Sequence, residues 1–253
     1  STLPIDLWLP STSIIEPQRS NSFSLGWFQD FPDKRIEFSF EGYYREMDKL
    51  VDFSEYQTIM GLVKNNMDQQ MSFGKGISYG LELMIRKNSG KYTGWIGYTI
   101  SKTRHTFEDI NNGEPFAPRH DRLHDLNLFV SRKIGTKWDA SIQFVYASGQ
   151  PTTIPLSYYV LNGNVIQYYN DRNSIRLPAY HRFDVAFTKS IPKKKKKYSS
   201  SWTFSVYNLY NRLNPFFVYY DLSWDYENNF LISKGRKIGL LPIIPSLTWS
   251  LEF

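Results

Sequence analysis

Apolar and polar residues alternate one by one through segment after segment of this chain. In residues 35–46, Ile36, Phe38, Phe40 and Tyr44 share one parity, while Glu37, Ser39, Glu41 and Arg45 share the other. A strand sends successive side chains to opposite faces, so this pattern describes a strand with one apolar and one charged face. It recurs in Phe23/Leu25/Trp27, Ile77/Tyr79/Leu81/Leu83/Ile85 and Tyr92/Ile96/Tyr98/Ile100, then in Leu126/Leu128/Val130 and Trp138/Ala140/Ile142/Phe144/Tyr146. Phe183/Val185/Phe187, Trp202/Phe204/Val206 and Leu247/Trp249/Leu251/Phe253 complete the series. The reading is an all-β, antiparallel chain of about nine long strands.

The connections alternate between short and long. Short turns are expected at residues 32–34, 88–91, 134–137 and 192–200, and long polar loops at residues 46–74, 104–121, 147–180 and 209–243. A soluble sandwich has no reason to sort its loops by length onto opposite ends. A transmembrane barrel does, with tight turns on the periplasmic side and long loops outside. Strands starting near Arg35, Tyr92, Lys137 and Ser200 would then run outward, and the chain would end at Phe253 on the periplasmic side.

Composition agrees with a two-faced strand set. Aromatics make up 17% of residues, hydrophobics 41% and charged residues 21%, which excludes a disordered chain. Mean hydropathy is -0.44, and no window approaches the roughly 20 apolar residues of a spanning helix. The charges at Glu37, Glu41, Arg45, Glu82, Arg86, Asp125, Arg182 and Asp184 need water or partners, which a hydrated lumen supplies and a lipid face does not. Aromatics at Trp27/Phe28, Tyr43/Tyr44, Trp138, Tyr146, Tyr158/Tyr159 and Tyr219/Tyr220 are expected to form the girdles at the lipid–water boundaries.

Motifs for chemistry are weak by comparison. With 0 cysteines there is no disulfide, thiolate metal site or cysteine nucleophile. His105, His120 and His124 fall close in sequence, but His120 and His124 in extended chain lie about 13 Å apart, too far to chelate together. Ser148-Gly149-Gln150-Pro151 reads as a turn rather than a nucleophile elbow. The net charge of +6 is partly local, because residues 193–197 are all lysine. That run reads as a solvated turn, with no aromatic platform or phosphate cradle to support nucleic-acid binding. The expectation is neither enzyme, metal site nor cofactor.

Several stretches carry a resemblance. Residues 119–125 (Arg119-His120-Asp121-Arg122-Leu123-His124-Asp125), 147–152, 176–184 and 207–215, followed by the closing segment 242–253, resemble the C-terminal part of a TonB-dependent outer-membrane receptor. The resemblance implies a fragment of a 22-stranded barrel with an N-terminal plug, importing a scarce ligand such as a siderophore, cobalamin, glycan or peptide with TonB-derived energy. Residues 1–253 are expected to be the C-terminal part of that barrel, with the plug and the first strands absent from this chain. The implied partners are outer-membrane lipid and lipopolysaccharide, the remainder of the barrel and plug, TonB through the plug, the barrel-assembly machinery and a surface lipoprotein. Trp249, Leu251 and Phe253 resemble the terminal signal read during assembly. Loop aromatics, namely Tyr158, Tyr159, Tyr168, Tyr169, Tyr219, Tyr220 and Trp224, are the candidate ligand contacts, with Tyr56, Phe107 and Phe116 beside them. Glu37, Glu41, Arg45, Glu82, Arg86, Arg182 and Asp184 are the candidate lumen-facing groups. The competing readings are a passive porin without TonB coupling and a soluble carbohydrate-binding module.

Overall fold

The computed structural model describes residues 10–54, 71–162, 164–169, 171–191, 198–228 and 230–252. Nine strands form one antiparallel sheet in the order β1-β2-β3-β4-β5-β6-β11-β12-β15. They are β1 (Arg19–Phe31), β2 (Ile36–Phe53), β3 (Met71–Lys87), β4 (Tyr92–Phe107), β5 (His124–Ile134), β6 (Trp138–Ala147), β11 (Tyr180–Ile191), β12 (Ser199–Tyr207) and β15 (Ile244–Glu252). Each of the nine alternating segments is one of these strands. Among the described residues there is no α-helix, and a single 3-10 turn lies at Asn111–Gly113.

The register carries the alternation across the whole sheet. One row runs Trp27, Phe40, Leu83, Tyr98, Leu126 and Tyr146, and the next runs Phe38, Ile85, Ile96, Leu128, Phe144 and Phe183. The opposite face carries rows such as Glu37, Arg86, Trp95, Phe129, Gln143 and Asp184. A slip of one residue anywhere would exchange the faces, so the pattern pins the register. The apolar face is not a core: Leu25 remains 84% exposed and Leu247 67%. That area is stable only against an apolar medium or further protein.

The buried core lies instead at the end of the sheet that bears the long connections. There Leu50, Phe107, Ile110 and Phe116 pack together with Met47. A bulge places Leu50 in that cluster: the β2–β3 register shifts between Met47 and Leu50, with Lys49 at φ 56°. The extra residue reverses the parity of β2, so Leu50 joins Met47 on the polar face, where Phe107 also lies.

The long connections hold more structure than polar loops would. Strands β2 and β4 continue into them as far as Phe53 and Phe107. Three two-stranded sheets lie within them: β7 (Pro151–Thr152) with β10 (Ile175–Arg176), β8 (Pro155–Leu161) with β9 (Asn164–Tyr169), and β13 (Asn214–Asp225) with β14 (Phe230–Leu240). The girdle expectation is corrected at several places for this reason. Tyr158/Tyr159 and Tyr219/Tyr220 belong to these accessory hairpins and not to ends of sheet strands. Tyr43 stands on the polar face, packed over Gly80, because its parity is that of Glu41 and Arg45. At the short-turn end the aromatic side chains make a definite set of contacts. Lys189 lies 5.3 Å over the Trp138 ring, Arg132 lies 5.3 Å over Tyr92, and Trp202 packs on Trp249 at 6.1 Å.

Candidate functional site

All four long connections emerge at one end of the sheet, where polar side chains fasten them to one another. Asp121 is the centre of the first fastening, its side chain only 1% exposed. Its Oδ1 accepts the Thr103 amide at 2.7 Å, and its Oδ2 takes the Arg176 guanidinium. The same guanidinium donates to the Gly149 carbonyl at 3.0 Å, while Arg122 donates to the Ser148 carbonyl at 2.9 Å. Ser148 Oγ accepts the His124 amide at 2.8 Å and donates to the His124 carbonyl at 3.2 Å. Gly149 is obligatory here, since a Cβ at that position would lie 1.5 Å from the Leu177 carbonyl oxygen. Ser148 and Gly149 thus hold a turn together.

A second fastening comes from residues 172 and 173. Arg172 donates to the Phe53 carbonyl at 3.1 Å, pairs with Asp52 at 3.0 Å, and presents its amide to Asn111 Oδ1 at 2.6 Å. Asn173 donates to the Ala117 carbonyl at 2.9 Å. A third is built by Asn208, fully buried with φ 55°, whose amide group donates to the Arg212 and Leu241 carbonyls at 2.9 and 3.0 Å. Asn214 grips both backbone groups of His181, at 3.0 and 2.9 Å. Sequence reasoning passed over these residues as contacts, although Asp121, Arg176, Asn208 and Asn214 sit inside the stretches on which the resemblance rests. Their signal is a short polar side chain or arginine beside a turn, which satisfies backbone groups that no sheet partner reaches.

His105 lies beyond the apolar belt, which on β4 ends at Ile100. Its ring centroid is 5.8 Å from that of His120 and 6.4 Å from Phe116. Burial, with His120 adding to it and Asp121 opposing, pushes the His105 imidazole down to about 4. His124 is held elsewhere, with Nδ1 2.7 Å from the Tyr98 hydroxyl. Among the described residues no three His, Cys, Asp or Glu side chains form a group that would hold a metal ion.

The candidate ligand aromatics divide between two hairpins. Tyr158 and Tyr159 lie on β8, Tyr168 and Tyr169 on β9, and Tyr219, Tyr220 and Trp224 on β13. The hairpins meet where Tyr158 and Tyr220 pack at 6.1 Å. Burial raises the Tyr158 and Tyr169 phenols above their ordinary range. Tyr159 and Tyr168 stay about half exposed, at 49% and 50%, so the outer surface of this pair of hairpins remains aromatic. Tyr56 lies outside the described residues, whereas Phe107 and Phe116 are in the buried core and not on a contact surface.

The candidate lumen groups share one face. Glu37 lies opposite Arg86, 3.9 Å away, and Glu41 lies directly opposite Glu82. Arg45 is opposite Ser78. Arg182 is the best connected: Nε meets Asp184 at 2.9 Å, Nη1 donates to the Tyr180 and Tyr207 hydroxyls at 3.0 and 2.7 Å, and its guanidinium stacks 4.1 Å from the Tyr207 ring. Such a network ties β11 to β12 across the polar face. Trp249 and Leu251 lie on the edge strand β15, and Phe253 is outside the described residues, as is the lysine run at 193–197.

A nine-stranded sheet with one apolar and one charged face, tight turns at one end and fastened loops at the other, is a section of barrel wall. Consistent with this, the family described as "TonB dependent receptor-like, beta-barrel" matches residues 9–209. The chain belongs to that family of receptors and transporters. Solved structures share the fold at low identity. The ferric citrate transporter FecA in its unliganded form is 13% identical, with TM-score 0.54, 93% of this chain covered and 31% of that one. The ferric-catecholate import receptor Fiu from K12 E. coli, in its closed form, is 14% identical with TM-score 0.57 and coverage of 97% and 30%. The ferripyoverdine receptor of the outer membrane of Pseudomonas aeruginosa, bound to ferripyoverdine, is 15% identical with TM-score 0.56 and coverage of 98% and 29%. The chain therefore spans less than a third of the length of these receptors. Comparison with curated proteins finds no match.

Proposed function

We propose that this chain is the C-terminal barrel wall and loop set of an outer-membrane receptor that imports a scarce ligand with TonB-derived energy. The family match over residues 9–209 carries the reading. The geometry supports it. From Tyr92 to Ile100, at about 3.3 Å per residue, β4 covers about 26 Å, or about 19 Å of depth at a tilt near 45°. That fits within the apolar band of an outer-membrane barrel, about 25 Å. In this reading the exposed apolar face meets lipid, and the face with Glu37, Glu41, Arg45, Glu82, Arg86, Arg182 and Asp184 lines the lumen or meets a plug. The fastened end faces outward, and its aromatic hairpins meet the ligand first. Trp249, Leu251 and Phe253 serve as the signal for the assembly machinery, and the remaining strands, plug and TonB contact lie elsewhere in the receptor. Siderophores, cobalamin, glycans and peptides all present surfaces that suit exposed tyrosines.

The test uses the full-length receptor. Uptake of candidate labelled ligands is measured in cells with and without TonB. Accumulation that vanishes without TonB is expected; accumulation that persists would turn the reading to a passive barrel, and recovery in the soluble fraction without detergent would overturn it.

A further inference from the structure

We infer that the long connections hold a pocket for a single carboxylate group, and hence that the ligand this receptor captures carries a free carboxylate. The inference rests on the reading above that the fastened end meets the ligand, and it narrows the ligand class within that reading. Three connections close the pocket together. Arg119 comes from the one between β4 and β5, Gln150, Thr152 and Thr153 from the one between β6 and β11, and Phe216 and Phe217 from β13. The pocket has a volume of about 80 Å³. A benzene ring takes a cavity of about 150 Å³ and a water molecule about 30 Å³ of liquid, so this space admits a group of about three heavy atoms and refuses a sugar ring.

The donors choose among groups of that size. Among the described residues Arg119 has no ion-pair partner, and the side chains of Gln150 and Thr152 make no hydrogen bond. Asp121, two positions along the chain from Arg119, is already taken by Thr103 and Arg176, and no Asp or Glu is among the described residues that line the pocket. A guanidinium, a carboxamide and a hydroxyl therefore share one small space, and all three can donate. A carboxylate offers two oxygens in one plane, which the guanidinium fork matches. One cation balances one negative charge, whereas a phosphate monoester, with about −1.5 to −2 at neutral pH, would keep charge unpaired in a recessed site. The walls are fixed before anything binds. Pro151 is fully buried, the Asn173 amide donates to Thr153 Oγ1 at 2.9 Å while its side chain holds the Ala117 carbonyl at 2.9 Å, and the Leu177 amide donates to the Gln150 carbonyl at 2.9 Å. Donors held in this way lose little freedom when a ligand arrives. Phe216 stays exposed beside Phe217, with 5.8 Å between ring centroids, and offers an apolar surface to the molecule that bears the carboxylate.

The full-length receptor, purified in mild detergent at neutral pH, is titrated calorimetrically with acetyl-tetraalanine bearing a free carboxy-terminus, with its carboxamide, with citrate and with inorganic phosphate. TonB is not present, so a failed titration and a failed uptake experiment are distinguishable. The wild type is expected to bind the free-acid peptide or citrate about tenfold more tightly than the carboxamide and the phosphate, the scale of a charge-assisted hydrogen bond. Tighter binding of the peptide assigns a peptide ligand, and tighter binding of citrate a carboxylate chelator; both outcomes support the pocket. Arg119→Gln should weaken the carboxylate probe by about 10- to 100-fold, and Arg119→Lys should recover part of that, because it keeps the charge without the fork. Thr152→Val, which keeps the shape and removes the hydroxyl, should weaken it by about fivefold. Lys189→Gln, at the short-turn end, should change nothing. Heat-modifiable mobility reports folding, and Thr152→Val reads the pocket if Arg119→Gln fails to fold. Carboxamide or phosphate bound as tightly as the carboxylates, no binding of either carboxylate by the wild type, or binding unchanged in Arg119→Gln or Thr152→Val would overturn the assignment.

Discussion

Replacing Asp121 with alanine should release the long connections while leaving the sheet intact. The carboxylate is buried, and it satisfies the Thr103 amide at 2.7 Å and the Arg176 guanidinium together. Hydrogen bonds to a charged group contribute about 1.5–3 kcal/mol each, and removing one partner of a buried pair costs about 3–5 kcal/mol. The Arg176 side chain is 38% exposed, so water recovers part of its loss. The lower end, about 3 kcal/mol, is therefore the expected cost, and at 1.4 kcal/mol per factor of ten it raises local opening about 100-fold. Hydrogen exchange in detergent-solubilised full-length receptor measures this directly. Amides of Thr103, Leu177 and residues around Gly149 should lose protection by about that factor, whereas β5 and β6 amides should not. Asp121→Asn keeps an acceptor for Thr103 and should cost less. Protection at Leu177 within about threefold of wild type in Asp121→Ala would refute the fastening argument.

Arg182→Met, which removes the links to Asp184, Tyr180 and Tyr207, should lower the urea midpoint of the folded barrel by an amount corresponding to about 2–4 kcal/mol; an unchanged midpoint would mean the network is incidental. His105 is held neutral because burial pushes it down to about 4 from an unfolded value near 6.5. The unfolded state therefore binds the proton first, and the loop end should lose stability as pH falls from about 6.5 to about 4 and level off below. Protease access to residues 104–121 reads this, and a profile that keeps its slope in His105→Phe would exclude His105 as the cause. Tyr220→Ala breaks the contact with Tyr158 and should loosen the packing of the two hairpins by about 0.5–1.5 kcal/mol, weakening ligand capture; unaltered ligand affinity would remove these hairpins from the binding surface.

The strand set was legible because a strand exposes its parity to anyone reading along the chain. Residues 35–46 announce two faces by composition alone, and the tight turns between strands follow from Pro, Asp, Asn and Gly at the breaks. The accessory hairpins were not legible. Residues 214–225 alternate poorly, reading Phe216, Phe217, Val218, Tyr219 and Tyr220 in succession, because neither of their faces is given over to one medium. The bulge at Lys49 was equally silent, since a single extra residue leaves composition unchanged while exchanging the faces beyond it.

What the chain determined by itself was local and periodic: nine two-faced strands, their antiparallel sequence and the end of the sheet that bears long connections. These follow from alternation and turn chemistry, which act over neighbouring residues. Tertiary structure decided what lies far apart in sequence. Arg176 reaches Asp121 across 55 positions and Arg172 reaches the Phe53 carbonyl across 119. Lys102 comes into line with Tyr79 and Tyr44 only because β2, β3 and β4 take a particular register. Side-chain parity is written in the order of residues, whereas the partner across a strand pair or between two loops is set by register and fastening, which only the folded backbone supplies.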